Sequence, residues 1–596
     1  MSFRRLALAV LLASAARLGA WELPAGWETR PPDAERITAI LDAADQEGWD
    51  GVAPGLRDGA LRAYETGRAS AGVWVGLARW AALLAEQEDR FTSRWTTAIN
   101  TAKTGHANMA RRYPRPTTPL AAHVSRPLAQ WLLGEQRFTE KFFGLLSPCD
   151  YLPAVLDTLD ALWRADPKKF QTYAQLALAI AVVYDVPPPP NWPHSQVSQS
   201  VLPRRLPAPA EAFAFFSDAD EHGLTLHKLA KLDASTLKFT VDAAAPIMEL
   251  DWARTVITHP LAKLAKTYSL IRYRTDREKS GQNMWPDATY DLPHILADGG
   301  ICVDQAYFAT EAGKARGVPT IFFHGEGNDG RHAWFGYLDG RQQWQFDAGR
   351  IPEENFITGL AQDPQTWGNL SDHELAFLSE DFRTRPAFAS SQLHTAAAQI
   401  YLGLNRAPAA VTAARKAVNY ERRNVTAWET LLAAQAATNA AAKMREATLN
   451  EAAAALDRYP DLNARFRQRY ANSLRARGET SAADQEERLI ARRNQRDRAD
   501  LAIAQVALTL KRAMDGPTAQ PLAEQVKTYG LLVSQFGRDA GVDFYDKIVT
   551  PFITRLVRDG HKPEARAALK LARDALTPET GTQLDKEMVK LAATLK

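Results

Sequence analysis

Cys302, His332 and Asp347 are the residues of this chain whose types and order suit covalent chemistry. A cysteine thiolate attacks an amide or ester carbonyl to give an acyl-enzyme. It needs a base to take or hold its proton, and the base needs a third group to fix its ring. In that scheme Cys302 is the nucleophile and His332 the general base, then the acid to the leaving group. Asp347 is the carboxylate that orients the imidazole. Taken singly, each has a plainer reading: a small buried hydrophobe, a structural histidine, a turn residue. Their joint placement is what points to chemistry.

The elements around them predict how they meet. Gly299 and Gly300 break structure before Cys302. Ala306, Ala309, Ala312 and Ala315 follow among good helix formers, and Gly317 and Pro319 then stop the helix. Cys302 therefore falls in a first helical turn. Partial positive charge and free backbone N–H groups there predict a lowered thiol pKa and donors for an oxyanion. Residues 320–323 read as a strand. The Gly-rich loop 325–330 lacks a closing Gly-Lys-Ser/Thr, so a mobile turn beside the site fits better than a phosphate loop. Residues 332–338 and 341–348 read as strands joined by Asp339-Gly340, a strong hairpin signal. With a two-residue turn Leu338 faces Arg341, and His332 stands opposite Asp347, about 4.5–5.5 Å away at Cβ. The same register pairs Phe335 with Trp344 and Ala333 with Phe346 on an apolar face. It leaves His332, Trp334, Gln345 and Asp347 on a polar one.

Gly299-Gly300-Ile301-Cys302 before a helix and Arg316-Gly317-Val318-Pro319 after it, His332-Ala333-Trp334 opening a strand and Trp344-Gln345-Phe346-Asp347 on the next resemble the transglutaminase-like superfamily. The resemblance implies a circularly rearranged papain-like α+β core with a Cys, His, Asp triad. It does not extend to the full calcium-regulated animal enzymes. Bacterial members of this superfamily often look like proteases or amidases, so hydrolysis and transfer to an amine both stay open. The family's oxyanion side chain is not assigned; Gln282 and Trp285 lie upstream.

The rest of the chain describes the setting. With 596 residues, 46% hydrophobic and 24% charged, it reads as a globular protein of several domains. A formal charge of +3 gives no reason to expect nucleic acid as partner. Arg4, Arg5 and the apolar run 6–16 have the layout of a secretory signal, with cleavage after Ala15 or Ala20. The expected location is exported, periplasmic or secreted. No later stretch has the length and apolarity of a membrane span. Two cysteines do not make a disulfide framework. Cys149 reads as structural, and a bridge from it to Cys302 would disable the thiol. His294 and His324, taken with Cys302 and His332, match no metal-ligand spacing, and the acyl-transfer reading requires no metal or organic cofactor.

The expected architecture is mainly α and multidomain: a signal peptide (1–20), a helical region (21–185), a Pro-rich linker (186–210), a central α+β catalytic domain of transglutaminase-like type (211–385) and a helical repeat-like region (386–596). In the first helical region, 153–165 and 169–184 carry apolar residues at helical spacing. The run Val186 to Pro193, with four successive prolines, favours a stiff extended connector. Near the C-terminus, 417–428 resembles 455–466, and Asn405, Gly478 and Gly560 sit where turns between paired helices belong. This is similar to degenerate tetratricopeptide-like repeats. The expected function is an exported cysteine enzyme that cleaves or transfers peptide or isopeptide amides, with a peptide or protein as substrate. The alternative is an envelope scaffold with a vestigial triad, which holds a protein partner on its C-terminal helices.

Overall fold

The computed structural model describes residues 21–102, 113, 116–515, 519–537 and 541–595. The signal-like segment expected at 1–20 lies outside the described residues. The fold is mainly helical, with one small antiparallel sheet. Among the described residues no helix is long and apolar enough to cross a membrane.

Local sequence explains many of the helices. Asp33 accepts the Arg36 N–H at 3.0 Å and starts Ala34–Glu47. Asp166 does the same for Lys169 at 2.9 Å, with Pro167 in the first helical position. The segment Ala174–Val183 is apolar on every side and is therefore buried all round, packed against Leu152–Ala165 and Ala234–Val241. Residues 184–208 contain no helix, as the proline run predicts, but they are no solvated connector. Trp192 is buried edge-on against Trp367, with ring centroids 5.1 Å apart. Arg204 donates to the carbonyls of Trp192 and His194 at 3.1 and 3.2 Å. The buried apolar side chains consequently run as one cluster from Leu23 to Phe466, uninterrupted across 186–210 and 385. A second large cluster spans Ala491 to Leu595.

The sheet holds β1 (Thr320–Glu326), β2 (Arg331–Leu338), β3 (Trp344–Ala348), β4 (Leu360–Gln362) and β5 (Asn369–Ser371), in the order β3-β2-β1-β4-β5. The helix Cys302–Ala315 packs against β1 and β2. β2 is thus an interior strand, and Ala333 to Leu338 are buried on both faces. That corrects the expected polar face: Trp334 is fully buried, wedged where a Cβ on Gly325 would stand 2.6 Å from its ring.

The hairpin register also differs from the expectation. Leu338 pairs with Trp344 rather than Arg341, and Phe335 pairs with Ala348 after an irregularity. Asp339 is the cause. Its Oδ1 accepts the N–H groups of Arg341 and Gln343 at 2.8 and 3.0 Å, and its own N–H bonds the Gln343 carbonyl at 2.8 Å. Gln342 takes a left-handed φ of 61°. The turn therefore spans 339–343, and His332 and Asp347 are not cross-strand partners.

Among the described residues the chain from Pro386 onward is mainly helical, with successive helices packed on one another. Asn405, Gly478 and Gly560 lie in the turns between helices, each at positive φ, as expected. Trp428 and Phe466, equivalent in the two similar stretches, are both fully buried. The last helices then fold back on the sheet. The Val542 N–H donates to the Gly327 carbonyl and the Leu584 N–H to the Asp329 carbonyl, each at 3.0 Å. The β1–β2 turn, read from sequence as mobile, is clamped by the C-terminal region.

Candidate active site

Cys302 is the first residue of its helix, as the two glycines predict. Gly299 sits at φ +76°, and a Cβ there would stand 2.4 Å from the Arg272 carbonyl oxygen, so no larger residue fits. The strand-like segment beside it holds the turn: Gly300 N–H donates to Arg272 at 3.0 Å, and Arg274 N–H to Gly300 at 2.9 Å. The helix start is then capped from inside. Asp304 Oδ2 accepts the Ile301 N–H at 2.9 Å. Fully buried, Asp304 also accepts from Arg277 Nη1 at 2.9 Å and from the Tyr290 hydroxyl at 3.1 Å.

The Cys302 thiol is partly buried and lies among Tyr268, Tyr273 and the start of β2. Burial pushes its pKa up to about 11. The N–H groups of Ala333 and Val303 favour the thiolate, but they are outweighed by desolvation, with the Asp304 and Glu278 carboxylates adding to it. The expectation of a lowered thiol pKa is therefore corrected. The helix-start effect is present in the Val303 amide, and burial is larger.

His332 stands on β2 directly before Ala333, whose N–H faces the sulfur. Its ring clusters with those of Phe356 and Trp334, at centroid distances of 5.5 and 6.0 Å, these two being 5.5 Å from each other, with Tyr268 edge-on at 6.4 Å. This aromatic box lowers the imidazole pKa by desolvation. His332 Nε2 lies 2.7 Å from the Gly349 carbonyl oxygen. A carbonyl only accepts, so Nε2 carries the hydrogen and Nδ1 keeps its lone pair. Tyr268 spends its hydroxyl hydrogen on the Ala333 carbonyl at 2.9 Å.

Asp347 is not brought to His332. Its carboxylate is 73% exposed and pairs with Arg350 Nη1 at 2.9 Å. Arg350 also reaches Asp372 at 3.3 Å, bonds the Phe356 carbonyl and lies over the Trp334 ring at 4.9 Å. Asp347 thus touches the site only through Arg350.

The structure brings Cys302 to the strand that carries His332, through the Ala333 N–H, and sets a backbone carbonyl against the His332 ring where a carboxylate was predicted. Tyr268, Gly349, Phe356 and the Arg277–Asp304 pair were not legible as site residues. Only Asp304, an acid in the third helical position, had a capping signal in the sequence. Trp285 is buried with its indole N–H bonded to the Thr289 carbonyl at 2.8 Å, which commits its donor elsewhere. Cys149 is a free, buried thiol at about 11, and Cys302 is free as well. No protein-family model and no curated protein sequence matches the chain.

Proposed function

We propose that the chain is a cysteine enzyme of transglutaminase-like type, exported to the periplasm or secreted, which cleaves or transfers peptide or isopeptide amides through a thioester on Cys302. One observation carries the reading: a half-buried thiol at a helix start meets the N–H of the residue after a histidine whose Nδ1 is basic and whose Nε2–H is fixed.

The chemistry follows from the neutral resting pair. As Sγ attacks the carbonyl carbon, His332 Nδ1 takes the thiol proton, and the imidazolium is steadied by the Nε2–H bond to Gly349. Collapse of the tetrahedral species breaks the C–N bond, and the same proton passes to the departing amine. Water or an amine then attacks the thioester, releasing acid or new amide and returning the proton to sulfur.

The second reading is a scaffold whose site is vestigial, with the C-terminal helices holding a protein partner. It is favoured by the exposed Asp347 and by the raised thiol pKa. Intact-mass analysis after a short treatment with an activated acyl ester separates the two. The enzyme reading expects one acyl adduct at neutral pH, absent in Cys302→Ala and formed at least tenfold more slowly in His332→Ala. Acylation at an equal rate in His332→Ala would leave the scaffold reading. A peptide library scored for both hydrolysis and amine incorporation then identifies the acceptor.

A further inference from the structure

Away from Cys302, a cleft of about 80 Å3 opens between the helices Ala71–Ala85, Glu88–Ala102 and Pro386–Gly403. Most of its wall is apolar, including Leu83, Trp95, Leu146 and Ile400. Three guanidinium groups interrupt that wall: Arg57, Arg79 and Arg94.

Two of them are neutralised. Arg94 is held by both carboxylate oxygens of Glu86, one at 3.0 Å. Arg57 bonds Asp58 at 3.0 Å. Arg79 differs, because its guanidinium lies 4.1 Å from the centroid of the Phe143 ring and makes no hydrogen bond or ion pair with any described residue. The remaining acid of the lining, Asp150, is engaged elsewhere, accepting from Ser147 N–H at 2.7 Å and Gln365 Nε2 at 3.0 Å. Burial brings the Arg79 pKa down to about 10, which still leaves it charged at neutral pH. Arg79 is only partly buried, with its guanidinium bordering the cleft, and its planar fork matches the two oxygens of a carboxylate. With an apolar wall around that one uncompensated charge, the complementary ligand has a single anionic head and an apolar body.

We propose that this cleft binds a monocarboxylate with a long apolar chain, its head on Arg79 and its chain along the apolar wall. The site is independent of Cys302. The test is calorimetry on the full chain with decanoate, decanol and decylamine. Decanoate is expected to bind at one site, about tenfold or more tightly than the other two. Arg79→Gln is expected to remove that preference and leave decanol binding unchanged, while Ala82→Trp, which fills the cleft, weakens all three. Equal affinity of the native protein for decanoate and decanol, or no binding of either, would overturn the proposal without recourse to any variant. Decanoate binding retained in Cys302→Ala supports a site separate from the thiol, and its loss there would place the ligand at Cys302 instead.

Discussion

His332 Nε2 is 2.7 Å from the carbonyl oxygen of Gly349, two residues beyond the aspartate that strand pairing predicts as its partner. The bond determines which ring nitrogen is basic, and it depends on a backbone conformation that only glycine adopts easily. Gly349 has φ +92°, and a Cβ there would stand 2.6 Å from the Tyr268 ring. The orienting group of this site is therefore a main-chain carbonyl held against a tyrosine.

That relationship makes opposite forecasts for two neighbouring positions. Asp347→Asn loses only an exposed ion pair to Arg350, so acylation of Cys302 is expected to stay within about twofold and stability within about 0.5 kcal/mol. Gly349→Ala is expected to slow acylation about tenfold or more and to lower the melting temperature, since the loop must move off Tyr268. A large acylation defect in Asp347→Asn would restore the carboxylate to the triad.

The pH dependence of the thiol follows from the two shifts at the site. The Cys302 pKa is raised to about 11, and that of His332 lies below its ordinary 6.5, so between pH 7 and 9 both groups are neutral. Each unit of pH then raises the thiolate fraction about tenfold. In a Cys149→Ala background, iodoacetamide alkylation of Cys302 is expected to climb by that factor per unit up to pH 9. A plateau below pH 8 would mean a preformed thiolate–imidazolium pair and would sink this account.

Much of the site's frame was legible, and its connections were not. The helix Cys302–Ala315 and strands β1 and β2 follow from Gly-Gly, the alanine spacing, Gly-Pro and the β-branched and aromatic runs, all of them local. The hairpin register failed on a local ambiguity: an aspartate before glycine closes a two-residue turn or, as Asp339 does, caps a longer one with its side chain. The thiol pKa failed for a non-local reason, because Tyr268 and Tyr273 shield the sulfur from positions far along the chain. The segment 186–210 has the prolines of a connector. Val186, Trp192 and Val197 are the apolar residues that hint that it is buried.

The C-terminal region holds the strand that carries His332. Arg331 Nη2 reaches both carboxylate oxygens of Asp546 at 2.7 Å, and its Nη1 reaches Glu587 at 2.8 Å. Its own N–H donates to Gln583 at 3.0 Å. The pairs are about one-third exposed, so Arg331→Met is expected to cost about 1–2 kcal/mol in urea unfolding. Hydrogen exchange should rise together at 326–331 and 541–549, because the Gly327–Val542 bond joins them. Faster exchange in only one of the two segments would show that the clamp is not a unit.

The Arg277–Asp304 pair gives the sharpest stability forecast. Both side chains are almost wholly buried, and together they close the start of the Cys302 helix. Removing one partner of such a pair costs about 3–5 kcal/mol, because the other charge is left without compensation. Arg277→Met is therefore expected to be strongly destabilising at neutral pH, and the loss has a definite pH signature. Burial already raises the Asp304 pKa against the opposing pull of Arg277, so removing Arg277 raises it further. An acid whose folded-state pKa exceeds its unfolded value takes up its proton first in the folded state. Lowering the pH toward the unfolded value of 3.8 therefore stabilises the variant relative to wild type. The difference in unfolding free energy should accordingly shrink between pH 7 and pH 5, and Arg277→Met/Asp304→Leu should recover part of the loss at pH 7. A penalty independent of pH, with no recovery in the double variant, would mean that Arg277 stabilises through its bonds to the Met284 and Asn283 carbonyls rather than through Asp304.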